Sequence, residues 1–223
     1  MAASQLALDL ALPPDYRAES FAVSPANASA RALVARWPRW RQGHLLLTGP
    51  RGAGKTHLAK IWTTRARATT LPAGEIGAAL ASVGRGASVL VEDVDRGVDE
   101  TGLFHLINRA AGDSGVTLLM TGSGAPEDWG IGLPDLLSRL NASERAVLHE
   151  PDDELLRQVM EKLLRDRRTP IGAGVLEYVL PRMERSVDFA RTFVAWLDRE
   201  ALARKGPVTR ALAREGLAAL STE

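Results

Sequence analysis

The sequence predicts an α/β fold: a three-layer core over about residues 16–150, built on a five-stranded parallel sheet, and a small helical lid over 151–223. Three observations predict it. A glycine-rich loop, Gly49–Thr56, lies between a short apolar run and an amphipathic helix. Further short apolar runs, each suited to a strand buried on both faces, alternate with helical patterns up to residue 150. After Pro151 the strand signals stop and the periodicity is helical throughout.

The chain opens on an apolar tail, residues 1–15, in which Pro13-Pro14-Asp15 discourages a helix. Its apolar side chains, Leu6, Leu8 and Leu10 following Gln5, have nothing local to bury them. An entry segment, Phe21–Asn27, leads into a helical pattern from Ala28 to Trp37 that Pro38 stops. Leu45-Leu46-Leu47 is the first strand. Gly49-Pro50-Arg51-Gly52-Ala53-Gly54-Lys55-Thr56 then matches G-x-x-x-x-G-K-[ST] without a mismatch, followed by His57 and the helix that starts at Lys55. Strand, glycine loop and helix in that order are the context of a P-loop. Backbone N–H groups of Gly49–His57 cradle phosphate oxygens, the helix N-terminus adds its positive dipole end, Lys55 reaches the β- and γ-phosphates, and the Thr56 hydroxyl sits on Mg²⁺. The expected ligand is ADP or ATP with Mg²⁺.

Ala68–Leu71 reads as a weak strand and Ile76–Val83 as a short helix. Ser88-Val89-Leu90-Val91 is a strand that ends in the carboxylates Glu92-Asp93. Downstream of a P-loop, such a pair is a Walker B element: Glu92 orients the metal through water and Asp93 positions the attacking water. Aspartate is usual at the first position, and Glu92 is one methylene longer. An amphipathic helix over Thr101–Ala111 leads to a buried strand, Val116–Thr121. Thr121 is a polar residue at the tip of this strand, with Ser123 two residues on; the pattern resembles P-loop ATPases of the AAA+ class, in which that tip senses the γ-phosphate. Pro134 opens a short helix that carries Arg139 near its end, and Ala146–His149 follows as the fifth strand. In the lid, four apolar faces are expected, the first from Leu155, Val159, Leu163 and Leu164.

With these residues in place the chain resembles the bacterial initiator clade of AAA+ ATPases, the DnaA family. The resemblance rests on the Phe21–Asn27 entry, Gly49–Leu58, Glu92-Asp93, Thr121 and Leu133-Pro134-Asp135-Leu136-Leu137-Ser138-Arg139-Leu140. It implies an AAA+ core with a lid that closes over the nucleotide. It makes Arg139 an arginine finger acting in trans, and it implies a sensor 2 arginine early in the third lid helix. Here Asp188 has that place, and Arg185, almost one turn earlier, is the candidate substitute for the nucleotide contact. The resemblance also gives the tail a meaning: Gln5, Leu6, Leu8 and Leu10 are similar to the peptide by which bacterial proteins dock on the replication sliding clamp, the β subunit of DNA polymerase III. The other reading of the tail is a segment folded back on its own domain. In 223 residues neither a long N-terminal interaction region nor a helix-turn-helix DNA-binding domain is expected. A short member of this kind resembles the regulatory inactivators of the initiator, whose partners are the clamp and DnaA, with self-assembly into a homo-oligomer compatible with the fold. Intrinsic ATPase is then expected to be weak or absent. The rival reading is an ATPase that remodels DNA or loads a helicase by its own turnover.

Composition narrows these choices. Formal net charge is +1, and residues 151–223 carry 13 basic and 12 acidic side chains, so no basic face for sequence-specific DNA binding is expected. Cysteine is absent, which excludes disulfides, thiolate metal sites and a cysteine nucleophile, and suits a reducing cytoplasm. No apolar run reaches the ~18 residues of a membrane span, and no signal peptide is expected.

Overall fold

The computed structural model describes residues 15–220. The tail residues Gln5, Leu6, Leu8 and Leu10 lie outside the described residues. The described chain divides into two compact units, one spanning Tyr16–Glu150 and the other starting at Pro151 and including Asp15.

In the first unit, helix α1 (Ala28–Ala35) precedes β1 (His44–Thr48), and the glycine loop joins β1 to α2 (Lys55–Ala66). Then come β2 (Thr69–Leu71), the short α3 (Ile76–Ala79), β3 (Ser88–Val91), α4 (Glu100–Ala111), β4 (Thr117–Gly122), α5 (Pro134–Ala142) and β5 (Arg145–Val147). All strands pair in parallel, in the order β2-β3-β4-β1-β5. This is the three-layer α/β sheet that the alternating pattern predicts, and β1 lies inside it between β4 and β5.

The apolar run of β1 explains the layers. Successive strand side chains point to opposite faces. Leu46 therefore packs with Leu103, Leu106 and Ile107 of α4 and Leu136 and Leu140 of α5. Leu45 and Leu47 pack on the other face, with Ala30 and Val34 of α1 and Leu58 and Trp62 of α2. All three leucines are fully buried, as a central parallel strand covered on both faces requires.

Some boundaries differ from the sequence reading. The helix expected over Ile76–Val83 is broken: α3 ends at Ala79 and a 3-10 turn covers Leu80–Ser82. The guanidinium of Arg109 donates to the Leu80 and Val83 carbonyls, at the two ends of this turn. Strand β5 starts one residue earlier than expected and is short, and of its three residues only Ala146 is buried.

The second unit comprises α6 (Asp153–Arg167), α7 (Val175–Val179), α8 (Val187–Arg204) and α9 (Arg210–Leu220) around one apolar cluster. In α6 the deep positions are Leu156, Met160 and Leu164, whereas Val159 and Leu163 pack at the margin. Paired leucines at 155–156 and 163–164 give α6 two overlapping apolar stripes, and the stripe through Met160 lies deeper. No helix among the described residues is long and apolar enough to cross a membrane.

Candidate nucleotide site and a distant arginine

The glycine loop runs between the end of β1 and the first turn of α2. Two of its glycines are required by geometry. A Cβ on Gly49 would sit 2.6 Å from the Leu148 carbonyl oxygen, so the loop passes too close to the chain after β5 for any side chain. Gly54 holds φ +97° as the residue that caps α2, a left-handed conformation that L side chains rarely adopt. Together they let α2 begin abruptly at Lys55, with its first N–H groups and positive dipole end at the loop.

Lys55 is buried, and its Nζ donates to Gly49 O (2.7 Å), Pro50 O (3.0 Å) and Ser123 Oγ (3.0 Å). The ammonium is thus held over the loop, with the tip of β4 at its side. Thr56 is exposed on the first turn of α2, and Arg51 is exposed on the loop. His57 turns the other way. It is buried and meets the rings of Tyr16 and Phe21 edge to face, with centroids 5.5 and 5.2 Å away. Phe21 in turn lies 3.8 Å from where a Cβ of Gly54 would be, so the entry segment borders the loop. That segment is fixed by Asn27, whose side chain accepts from Ser24 N–H and donates to Ala22 O. His57 therefore anchors the entry segment, a packing role that the motif alone does not signal.

At the tip of β3, Asp93 has φ +54°, and its N–H donates to the Thr121 hydroxyl (3.0 Å). Thr121 is buried and its oxygen holds this turn, while Ser123 is the residue that reaches Lys55. Of the two sensor candidates, Ser123 stands at the lysine. The Glu92 carboxylate is 3.2 Å from Lys60 Nζ, one turn beyond Thr56 on α2, and Asp93 faces Arg96 at 3.8 Å. Hydroxyl and carboxylate oxygens are the hard donors that Mg²⁺ accepts beside phosphate oxygens, so Thr56 and Glu92 fit that ion by chemistry. The Lys60 ammonium offsets part of the charge that Glu92 would offer. Among the described residues no group of three or more His, Asp or Glu side chains makes a metal site independent of phosphate.

Arg139 is exposed on α5, and its guanidinium lies over the Phe104 ring of α4, 5.1 Å from the centroid. With Gln42, His44, Ile107, Asp135, Ser138 and Ala142 it lines a cavity of about 390 Å³. Gln42 and His44 mark the start of β1, whereas the glycine loop leaves its far end. Arg139 and Lys55 are thus at opposite ends of a strand that alone spans about 13 Å. His44 beneath Arg139 is buried, its ring nitrogens paired with Gln42 O and Ser143 Oγ. Burial pushes its pKa below 6.5, and the charge of Arg139 adds a smaller push in the same direction.

In the second unit, α8 starts at Val187 with Ser186 as its cap, so Asp188 is in the first turn and pairs loosely with Arg191 at 4.0 Å. Arg185 precedes that cap and is bound to Asp153 Oδ1 (2.7 Å) and Pro151 O (3.2 Å).

No protein-family model matches the chain. Solved structures do. Domain III of the replication initiation protein DnaA from Thermotoga maritima is similar with a TM-score of 0.75 at 22% identity, covering 92% of this chain and 96% of that one. Replication initiator DnaA bound to AMPPCP and single-stranded DNA gives 0.69 at 17% identity, over 87% of this chain and 69% of that one. The Thermotoga maritima RuvB Holliday junction branch migration motor gives 0.64 at 18%, over 80% and 62%. At these identities the likeness speaks for the fold, and the fold is the AAA+ P-loop α/β core that DnaA and RuvB share.

Proposed function

We propose that this chain is a regulator of replication initiation of the Hda type. In this reading it is an AAA+ adaptor that binds ADP or ATP, docks on the DNA-loaded sliding clamp through Gln5, Leu6, Leu8 and Leu10, and stimulates hydrolysis of ATP bound to DnaA. The observation that carries the reading is the separation of Lys55 from Arg139. The P-loop residues lie at one end of β1 and the exposed arginine at the other, so Arg139 is badly placed for the chain's own nucleotide and well placed to be offered across an interface. A DnaA structure with AMPPCP on the same fold supports an adenine nucleotide at Gly49–His57.

The chain's residues then divide the work. The loop Gly49–Thr56, with its Lys55, binds the phosphates, with Ser123 beside the lysine and the Phe21 segment at the edge. Bound Mg²⁺, held by Thr56 and through water by Glu92, would neutralise phosphate charge. Arg139 supplies its planar fork to the partner's γ-phosphate, where negative charge is stabilised as the bond to it breaks. Weak intrinsic turnover follows from the Lys60–Glu92 pair and from Asp188 in the place of a sensor 2 arginine. A cytoplasmic location suits these partners.

The test is single-turnover hydrolysis of DnaA-bound ATP in the presence of clamp on DNA. Wild type accelerates it. Arg139→Ala loses the acceleration yet retains ADP binding and fold, and Arg139→Lys restores little, because a point charge does not reproduce the fork. An arginine supplied in trans is worth about 10³–10⁵ in rate where it has been measured. Acceleration by Arg139→Ala equal to wild type would end this reading.

A further inference from the structure

We propose that Glu100 is a positioning residue for Arg139, setting the pitch of α5 from the first turn of α4. The proposal rests on the reading that Arg139 acts on a partner's nucleotide. The Glu100 carboxylate accepts two backbone N–H groups: Gly132 donates to Oε1 (2.9 Å) and Leu133 to Oε2 (2.7 Å). Those amides are the last two before Pro134, which begins α5 and has no N–H of its own. Hydrogen bonds to an ionised acceptor are about twice as strong as neutral ones, and two from adjacent amides fix direction as well as distance. The first turn of α4 also favours the negative charge of Glu100.

The segment it holds needs such a grip. Gly130 has φ +68° with open space around it, and Gly132 follows two residues later. Glycine restricts the backbone least, so the entry to α5 is not aimed by its own chain. The second hold on α5 comes from the same face of α4: Phe104, four residues beyond Glu100, lies under the Arg139 guanidinium. Leu136 and Leu140 fasten α5 to Leu103 and Ile107 between these two holds. Arg139 is five residues beyond Pro134, about 7.5 Å along the helix. A small rotation at the entrance therefore displaces the guanidinium by an amount on the order of 1 Å, and misplacement of that size costs about 10²-fold in a positioned reaction.

The experiment compares Glu100→Ala, Glu100→Gln and Arg139→Ala in the DnaA-bound ATP assay, at several concentrations of the full chain. Glu100→Ala lowers the maximal stimulated rate by about 10- to 100-fold while the half-saturating concentration and ADP affinity stay at wild-type values. Glu100→Gln, which keeps one carbonyl acceptor and the shape of the side chain, gives a smaller loss, and it carries the test if the alanine variant does not fold. A rise in half-saturating concentration with the maximal rate intact would make Glu100 an interface or stability residue and overturn the proposal. So would a wild-type rate in Glu100→Gln. Combining each Glu100 change with Arg139→Lys gives a further readout: a residue that acts through Arg139 loses much of its effect there, whereas equal fold losses in both backgrounds refute the coupling. Stimulation that survives Arg139→Ala would instead remove the arginine reading itself, so the two failures are distinct.

Discussion

Lys55 presents the plainest prediction at the scale of a residue. Its ammonium sits among three oxygens, from Gly49, Pro50 and Ser123, at distances a phosphate oxygen would share. Lys55→Ala removes the charge the phosphates need. A nucleotide that binds the folded chain stabilises it by linkage, about 2.7 kcal/mol at a hundredfold excess over Kd. ADP should raise the thermal midpoint of wild type by roughly 5–10 °C for a chain of this size, and leave that of Lys55→Ala unmoved. Equal shifts would remove the site. His44 predicts a pH effect. Its folded pKa is depressed by burial, so between 6.5 and that lower value the unfolded chain binds a proton the folded chain does not. Stability is therefore unaffected by this group above about pH 6.5 and falls as the pH drops through that window. An NMR titration of the His44 imidazole should give a midpoint below 6.5, and a midpoint at or above it would refute the burial argument. The P-loop residues were legible in sequence because their chemistry fixes both type and spacing. The division between Thr121 and Ser123 was not. Two hydroxyls at one strand tip look alike until the backbone shows that Asp93 N–H takes one of them.

Among the elements, the start of α4 is the joint of the core. Asp99 caps α4 by accepting from Gly102 N–H (2.9 Å), and its other oxygen accepts from Gly77 N–H of α3 (2.7 Å). Gly102 allows this: a Cβ there would lie 2.5 Å from both the Asp99 carboxylate and the Gly77 nitrogen. These two amides, Gly102 first, hold the Asp99 carboxyl below its ordinary 3.8. Its contribution is accordingly present above about pH 4 and is lost on acidification through the lowered value. Asp99→Ala should cost about 0.5–2 kcal/mol, the range for a helix cap, seen as a lower denaturant midpoint at pH 7 with the slope unchanged. A midpoint equal to wild type would mean that water replaces the cap without loss. The sequence reading placed this helix at Thr101–Ala111, and Asp99 is a capping residue type at the right place just ahead of it. What no sequence pattern announces is that the same carboxylate also bonds α3, or that Glu100 beside it reaches across 32 residues of chain to the entrance of α5. Both contacts depend on helix packing, whereas the strands were readable because burial on two faces leaves apolar runs at the middle of β1 and β4 and through Val89–Val91 of β3.

For the whole molecule, the fold class followed from one rule, that apolar strand signals alternate with helices before Pro151 and vanish after it. Function was less legible, because it depends on surfaces offered to other chains. The proposed reading gives the molecule two separable tasks, tethering by the tail and catalysis by Arg139, and these predict different kinetic signatures. A tether turns the second encounter into an intramolecular one, with an effective concentration of about millimolar. Losing the tether removes that advantage without altering the geometry at the partner's γ-phosphate. Replacing Gln5 and Leu6 with alanine should therefore abolish clamp binding and raise the concentration needed for half-maximal stimulation of DnaA-bound ATP hydrolysis. The maximal rate at saturating protein should approach wild type, and the ADP-induced rise in thermal midpoint should persist. Arg139→Ala should do the reverse, lowering the maximum at every concentration while clamp binding stays intact. Mixing the two variants provides the decisive arm. If one chain must both hold the clamp and offer the arginine, the mixture stays inactive at low concentration. Recovery of activity there would separate tether from catalyst onto different chains. Unaltered half-saturation in the tail variant would show that the tail is not the tether.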